Sequence, residues 1–218
     1  MKLLMSKPEP SRLSNLFKDL QQRKLIDSHR KLELSRNPVI GMQGNKLSKK
    51  ILYTEKFDNT VLTELDDDTL RFVLLHEEGH IQKGSLFSHA ILSTFVIIFI
   101  ALFYYPFNFG WPLWFFYLLI GFPLSYRIMY IPMFKEELMA DLFAAEAMKK
   151  EFHVDQPSVL LQKLFSKADE KLYQNQSKKY SKLVLLGLLI LFGFFPGYHP
   201  PDCTRISNIV EKCENSFS

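Results

Sequence analysis

Residues 90–126 contain no charged side chain, and no other feature of this 218-residue sequence limits its fold so strongly. As one helix those 37 positions would reach roughly 55 Å, against ~30 Å for the hydrocarbon core of a bilayer. The run must therefore fold back. Pro106, Asn108, Gly110 and Pro112 interrupt its middle, so the sequence predicts two spans, about 87–105 and 112–131, joined by a tight turn. Tyr104, Tyr105, Trp111 and Trp114 cluster at that turn, as aromatic residues do at a membrane interface. The alternative is a helical hairpin buried in a soluble protein, but so long an uncharged stretch is what bilayers select. Lys83, Arg127 and Lys135 flank the open ends, which the positive-inside rule puts in the cytoplasm. The expectation is an integral protein of the plasma (inner) membrane, in contact with the lipid bilayer, with its chemistry on the cytoplasmic face.

A third apolar run, residues 183–195, would rise only ~20 Å and has cations on both sides, so a core helix or a dipping segment is expected there, not a third span. The N-terminus has three apolar residues after Lys2 before polar ones begin, too few for a secretory signal, and the chain is expected not to be exported. A net charge of +4 with interleaved acids and bases forms no dense basic block, which argues against nucleic acid as a partner. Cys203 and Cys213 lack metal-ligand spacing and read as reduced thiols. The length suits a single domain spanning residues 1–218.

Outside the apolar runs, residues 11–36 carry Leu13, Leu16, Phe17, Leu20 and Leu25 at helical spacing and predict an amphipathic helix ending before Asn37-Pro38. Residues 50–54 read as a short strand. Asp66, Asp67 and Asp68 supply cap candidates for a helix continuing through Leu70, Val73, Leu74 and His80 to about Gly84.

Within that helix lies His76-Glu77-Glu78-Gly79-His80, an HExxH sequence. Histidines four residues apart project from one helical face and can converge on one zinc ion, while Glu77 can reach a water there and take its proton. Two solvated histidines on an amphipathic helix are the bland alternative. A catalytic zinc site needs a third protein ligand, and residues 135–141 read as a helix with Glu137 and Asp141 on one face. Glu137 is the candidate ligand and Asp141 the acceptor that would orient a histidine through its other ring nitrogen. Helical geometry alone does not separate Glu136 from Glu137.

These motifs, together with Tyr198-His199-Pro200-Pro201 and Arg205-Ile206, resemble the membrane zinc peptidases that include HtpX-type heat-shock proteases and CAAX prenyl endopeptidases. That family combines HExxH, an ExxxD motif with Ala before the Asp, and a late HPP segment followed by an Arg. The resemblance extends over about residues 40–212. It implies one Zn²⁺ per chain held by His76, His80 and Glu137, with Glu77 as base and Asp141 as the ligand-orienting acid. It also puts His199 near the substrate or developing oxyanion and Arg205 against the acidic helix. Membrane spans ahead of HExxH are missing here, and the Asn-Ala motif expected before the strand is at best Gly44-Asn45. Sensor-transducer metallopeptidases share HExxH and ExxxD, but the HPP segment speaks against them.

The expected fold is thus mainly α, a zincin-like core with a small β-sheet near residues 45–57 and the transmembrane hairpin of residues 87–131 inserted before the third ligand. The expected function is a zinc metalloendopeptidase acting on a polypeptide, with a membrane protein and a prenylated peptide both compatible. Substrate is expected to add as a strand along residues 51–54. A membrane adaptor that keeps a structural zinc site is the rival, and the intact Glu77 argues against it.

Overall fold

The computed structural model describes residues 12–35, 42–54, 64–84, 94, 122–176 and 200–215, with residues 122–130 and 168–176 described by backbone alone. The elements run α1 (Arg12–Gln22), β1 (Lys31–Leu34), β2 (Met42–Asn45), β3 (Lys50–Tyr53), α2 (Asp67–Lys83), α3 (Phe122–Phe152), α4 (Pro157–Gln176) and α5 (Asp202–Ile209). A π-helical turn, Val210–Glu214, completes α5.

At the centre is α2. Leu70, Phe72, Val73, Leu74 and Leu75 are all buried, so this helix is covered on most sides rather than along one stripe. Its N-cap is Asp66, whose carboxylate accepts from the Thr69 amide at 2.8 Å and also pairs with Lys163 of α4 at 2.9 Å. Burial works against the Asp66 charge, but those bonds outweigh it and hold its pKa at about 2 instead of the ordinary 3.8. An acid with a depressed folded pKa contributes stability in full above 3.8 and loses it as pH falls through about 2. Asp66→Ala is therefore expected to cost about 1 kcal/mol at neutral pH, the usual value of a lost cap. Asp66→Asn keeps a capping oxygen but loses the Lys163 attraction. Urea unfolding at pH 7 and pH 2.5 checks this, and a gap between wild type and Asp66→Ala that fails to shrink in acid contradicts it.

Against α2 lies α3, and the contact is close because small residues meet. A Cβ built on Gly79 would stand 2.9 Å from Ala140 Cα. Among the described side chains of α3, Met133, Glu137, Ala140, Asp141, Ala144, Ala145 and Met148 are buried, a helical stripe into which two acids fall. The Gly79–Ala140 approach thus brings Glu137 and Asp141, on either side of Ala140, to the histidine face of α2.

The sheet has the order β1-β3-β2, with β1 parallel and β2 antiparallel to β3. Four sequence expectations change. The helix predicted over residues 11–36 stops at Gln22, where Lys24 takes a left-handed φ of 61°. Gln21 then binds the carbonyls of Asp27, Ser28 and Arg30, turning the chain into β1. The strand at residues 50–53 is central and paired on both sides, so it has no free edge for substrate.

The transmembrane hairpin is the third change. Among the described residues no helix is long and apolar enough to cross a membrane. The end expected for the second span, residues 122–131, is the first third of α3, which continues through Pro132 and past Lys135, Glu136, Glu137 and Asp141 without a break. The segment expected to stop at a membrane surface is continuous with the charged helix that faces α2, so an integral-membrane fold is not supported and the cytoplasm-facing orientation loses the hairpin as its basis. Residues 87–121, apart from Thr94, lie outside the described residues, as does the apolar run at 183–195. The fourth change is in the extent of the sheet, which begins at residue 31 rather than near 45.

Candidate active site

His76 and His80 stand one turn apart on α2, and their Nε2 atoms approach to 3.0 Å. Two imidazole lone pairs converging at that distance repel unless a proton or a cation lies between them. Glu137 completes the triangle, with one carboxylate oxygen 3.2 Å from His80 Nε2 and the other 3.6 Å from His76 Nε2. Donors bound tetrahedrally at 2.0–2.1 Å to one ion lie about 3.3 Å apart, so these separations fit zinc. The three residues form a group that could hold a metal ion. Glu136, the alternative that the sequence left open, turns away and pairs with Lys46 at 2.6 Å.

Behind the triangle, Asp141 Oδ1 lies 2.9 Å from His76 Nδ1. A carboxylate there favours the proton on Nδ1 and leaves the Nε2 lone pair directed into the triangle, where it could bind a metal ion. Asp141 is fully buried and receives both arms of Arg205, from Nε at 2.7 Å and from the terminal nitrogen at 2.6 Å. Burial alone would raise the Asp141 pKa, but the Arg205 hydrogen bonds and the nearby His76 ring outweigh it and lower it. Burial likewise disfavours the Arg205 cation, yet Asp141 and Glu137 raise its pKa further. Arg205 also reaches within 3.6 Å of Glu137 and lies over the Phe165 ring at 5.1 Å. It projects from α5, which starts directly after Pro200-Pro201.

Glu77 is buried beside this group, and its Oε2 accepts from the Gly44 amide at 2.5 Å. Burial raises its pKa, with the two histidines and the Gly44 hydrogen bond working in the opposite direction. A carboxyl group whose pKa is raised holds a proton more readily than an ordinary carboxylate, which suits a group that must accept a proton and return it. Gly44 can sit so close because it has no side chain: a Cβ there would overlap the Glu77 carbonyl. For His80, burial opposes the charged form, but the hydrogen bond and charge of Glu137 prevail and raise its pKa.

The structure therefore brings together His76, Glu77, His80, Glu137, Asp141 and Arg205. His199 lies outside the described residues. Three contributors were not read from the sequence. The Gly44 amide and Lys46 give no local signal. Glu78 does, because it follows Leu74 and Leu75 on the buried side of α2, where a charge requires a partner. That partner is Arg30, whose Nε reaches Glu78 at 3.0 Å.

An HExxH helix packed against a second helix that supplies a glutamate and a histidine-orienting aspartate defines a metallopeptidase. The chain belongs to peptidase family M48, whose family model matches residues 42–212, the family of HtpX-type and CAAX-protease zinc metallopeptidases. No curated protein and no solved structure matches the chain.

Proposed function

We propose that the chain is a zinc-dependent endopeptidase in which His76, His80 and Glu137 hold one zinc ion and Glu77 is the general base. The observation that supports this best is the convergence of two imidazole nitrogens, 3.0 Å apart, with the Glu137 carboxylate, whose two oxygens lie 3.2 Å from His80 Nε2 and 3.6 Å from His76 Nε2, beside the buried carboxyl of Glu77. When bound, zinc supplies a water of lowered pKa and polarises a peptide carbonyl. Glu77 takes a proton from the attacking water and delivers it to the leaving amine, so that water is added across the C–N bond. Asp141 keeps the His76 ring in its ligating tautomer, and Arg205 keeps Asp141 ionised. His199 is assigned contact with the substrate or developing oxyanion on the resemblance alone.

Substrate is an extended polypeptide. Among the described strands β2 is the edge nearest Glu77, and its Gly44 amide already faces the site. A peptide laid along β2 would gain main-chain hydrogen bonds with little demand on side-chain identity. Incubation with an unfolded polypeptide blocked at both ends should yield internal fragments. A strong chelator should stop cleavage, and one equivalent of Zn²⁺ per chain should restore it. Undiminished cleavage in the chelator would contradict the zinc reading. A protein that binds zinc but leaves every substrate intact would instead support the adaptor alternative.

A further inference from the structure

We infer that Lys46 is a positioning residue that clamps together the three elements carrying the site. It opens the turn at residues 46–49, two positions after Gly44, whose amide holds Glu77. Its ammonium group donates to Glu136 Oε2 at 2.6 Å, and Glu136 precedes Glu137 on α3. Between these ends the side chain crosses Gly84, the C-cap of α2, one turn beyond His80. Gly84 has φ −69° and ψ 144°, a conformation open to any residue, so backbone freedom is not the reason for glycine there. Space is: a Cβ at position 84 would overlap Lys46 Cε and Nζ and the His80 carbonyl.

Lys46 therefore follows directly on the strand that holds the base, and its side chain touches the end of the helix that carries both histidines and the helix that carries the third donor. The side chains of Lys46 and Glu136 are only 8% and 13% exposed. An exposed pair would give such a link little strength, whereas loss of one partner from a buried pair leaves a charge uncompensated. Glu136 is fixed through Lys46, and the backbone passes that constraint to Glu137. Groups that orient metal ligands from behind typically change metal affinity or activity about 10- to 100-fold.

The inference rests on the zinc reading above, and zinc affinity tests it without recourse to catalysis. Zinc dissociation constants would be measured by competition with a chromophoric chelator for wild type, Lys46→Met, Glu136→Gln, the double variant and the charge-reversed pair Lys46→Glu/Glu136→Lys. Thermal melts of the zinc-free proteins would run alongside. Each single change should weaken zinc about tenfold or more, the double should be no worse than the weaker single, and the reversed pair should regain affinity. The reversed pair retains an ion pair even if a single variant proves too unstable to measure, and failure to regain affinity contradicts the clamp. Wild-type affinity in the single variants overturns the clamp alone. A wild-type chain that binds no zinc overturns the zinc reading and the clamp with it. Affinity losses that merely follow the loss of melting temperature, with no recovery in the reversed pair, reduce Lys46 to a structural role.

Discussion

Glu77→Gln is expected to lower peptide hydrolysis by about 10²- to 10⁴-fold while zinc binding stays at the wild-type level. The amide matches the carboxylate in size, and its oxygen can still accept from the Gly44 amide, so the local packing is preserved. What it cannot do is take a proton from water. Stability moves the other way. Burial raises the folded pKa of Glu77, so the ionised group costs stability once pH rises above its unfolded value. Replacement by a neutral amide removes that cost, and the zinc-free variant should unfold at the same or higher denaturant concentration than wild type at pH 7. Glu77→Ala should be equally inactive but should also leave the Gly44 amide without its acceptor. Parallel turnover assays, zinc titrations and urea curves separate these effects. A Glu77→Gln enzyme that cleaves at the wild-type rate would remove the proposed mechanism.

The chemistry of this chain was more legible than its boundaries. The helix of HEEGH could be placed almost to the residue, because Asp66 and Gly84 are cap residues on either side of a dense apolar segment. Glu137 and Asp141 could be put on one face from their spacing alone, but choosing Glu137 over Glu136 needed the resemblance. The structure supplies a physical reason in the Lys46 partner of Glu136. Nothing local announces an ion pair between residues 90 positions apart. Leu25 continues the helical spacing past the true end of α1, whereas the break depends on Gln21 collecting three carbonyls from the loop beyond it. With four residues, β1 is too short to show periodicity of its own. The end of α3 is hidden for a related reason: composition locates an apolar segment but does not show where the helix containing its end will stop. Here that helix continues to Phe152.

Removal of Arg205 is expected to give the largest loss of stability of any single substitution considered. Asp141 is fully buried and Arg205 nearly so, and two short hydrogen bonds join them. Breaking such a pair from one side typically costs about 3–5 kcal/mol, because the remaining charge is left in a poorly solvated site. Arg205→Met keeps much of the side-chain volume beside Phe165 and should show that loss in urea unfolding at pH 7. The pH dependence identifies the cause. In wild type, the lowered folded pKa of Asp141 contributes stability above the ordinary carboxylate range that fades on acidification. In Arg205→Met only His76 remains beside Asp141, burial dominates, and protonation of Asp141 relieves the strain instead. The stability gap between the two proteins should therefore narrow from pH 7 to pH 4. Zinc affinity should fall as well, since an Asp141 that is protonated or displaced no longer fixes the His76 ring. The double variant Asp141→Leu/Arg205→Met separates fold from site: replacing a buried pair by apolar residues is often neutral or stabilising, so its stability should recover while its zinc affinity stays low. A double variant that binds zinc like wild type would show that the aspartate has no part in orienting the ligand.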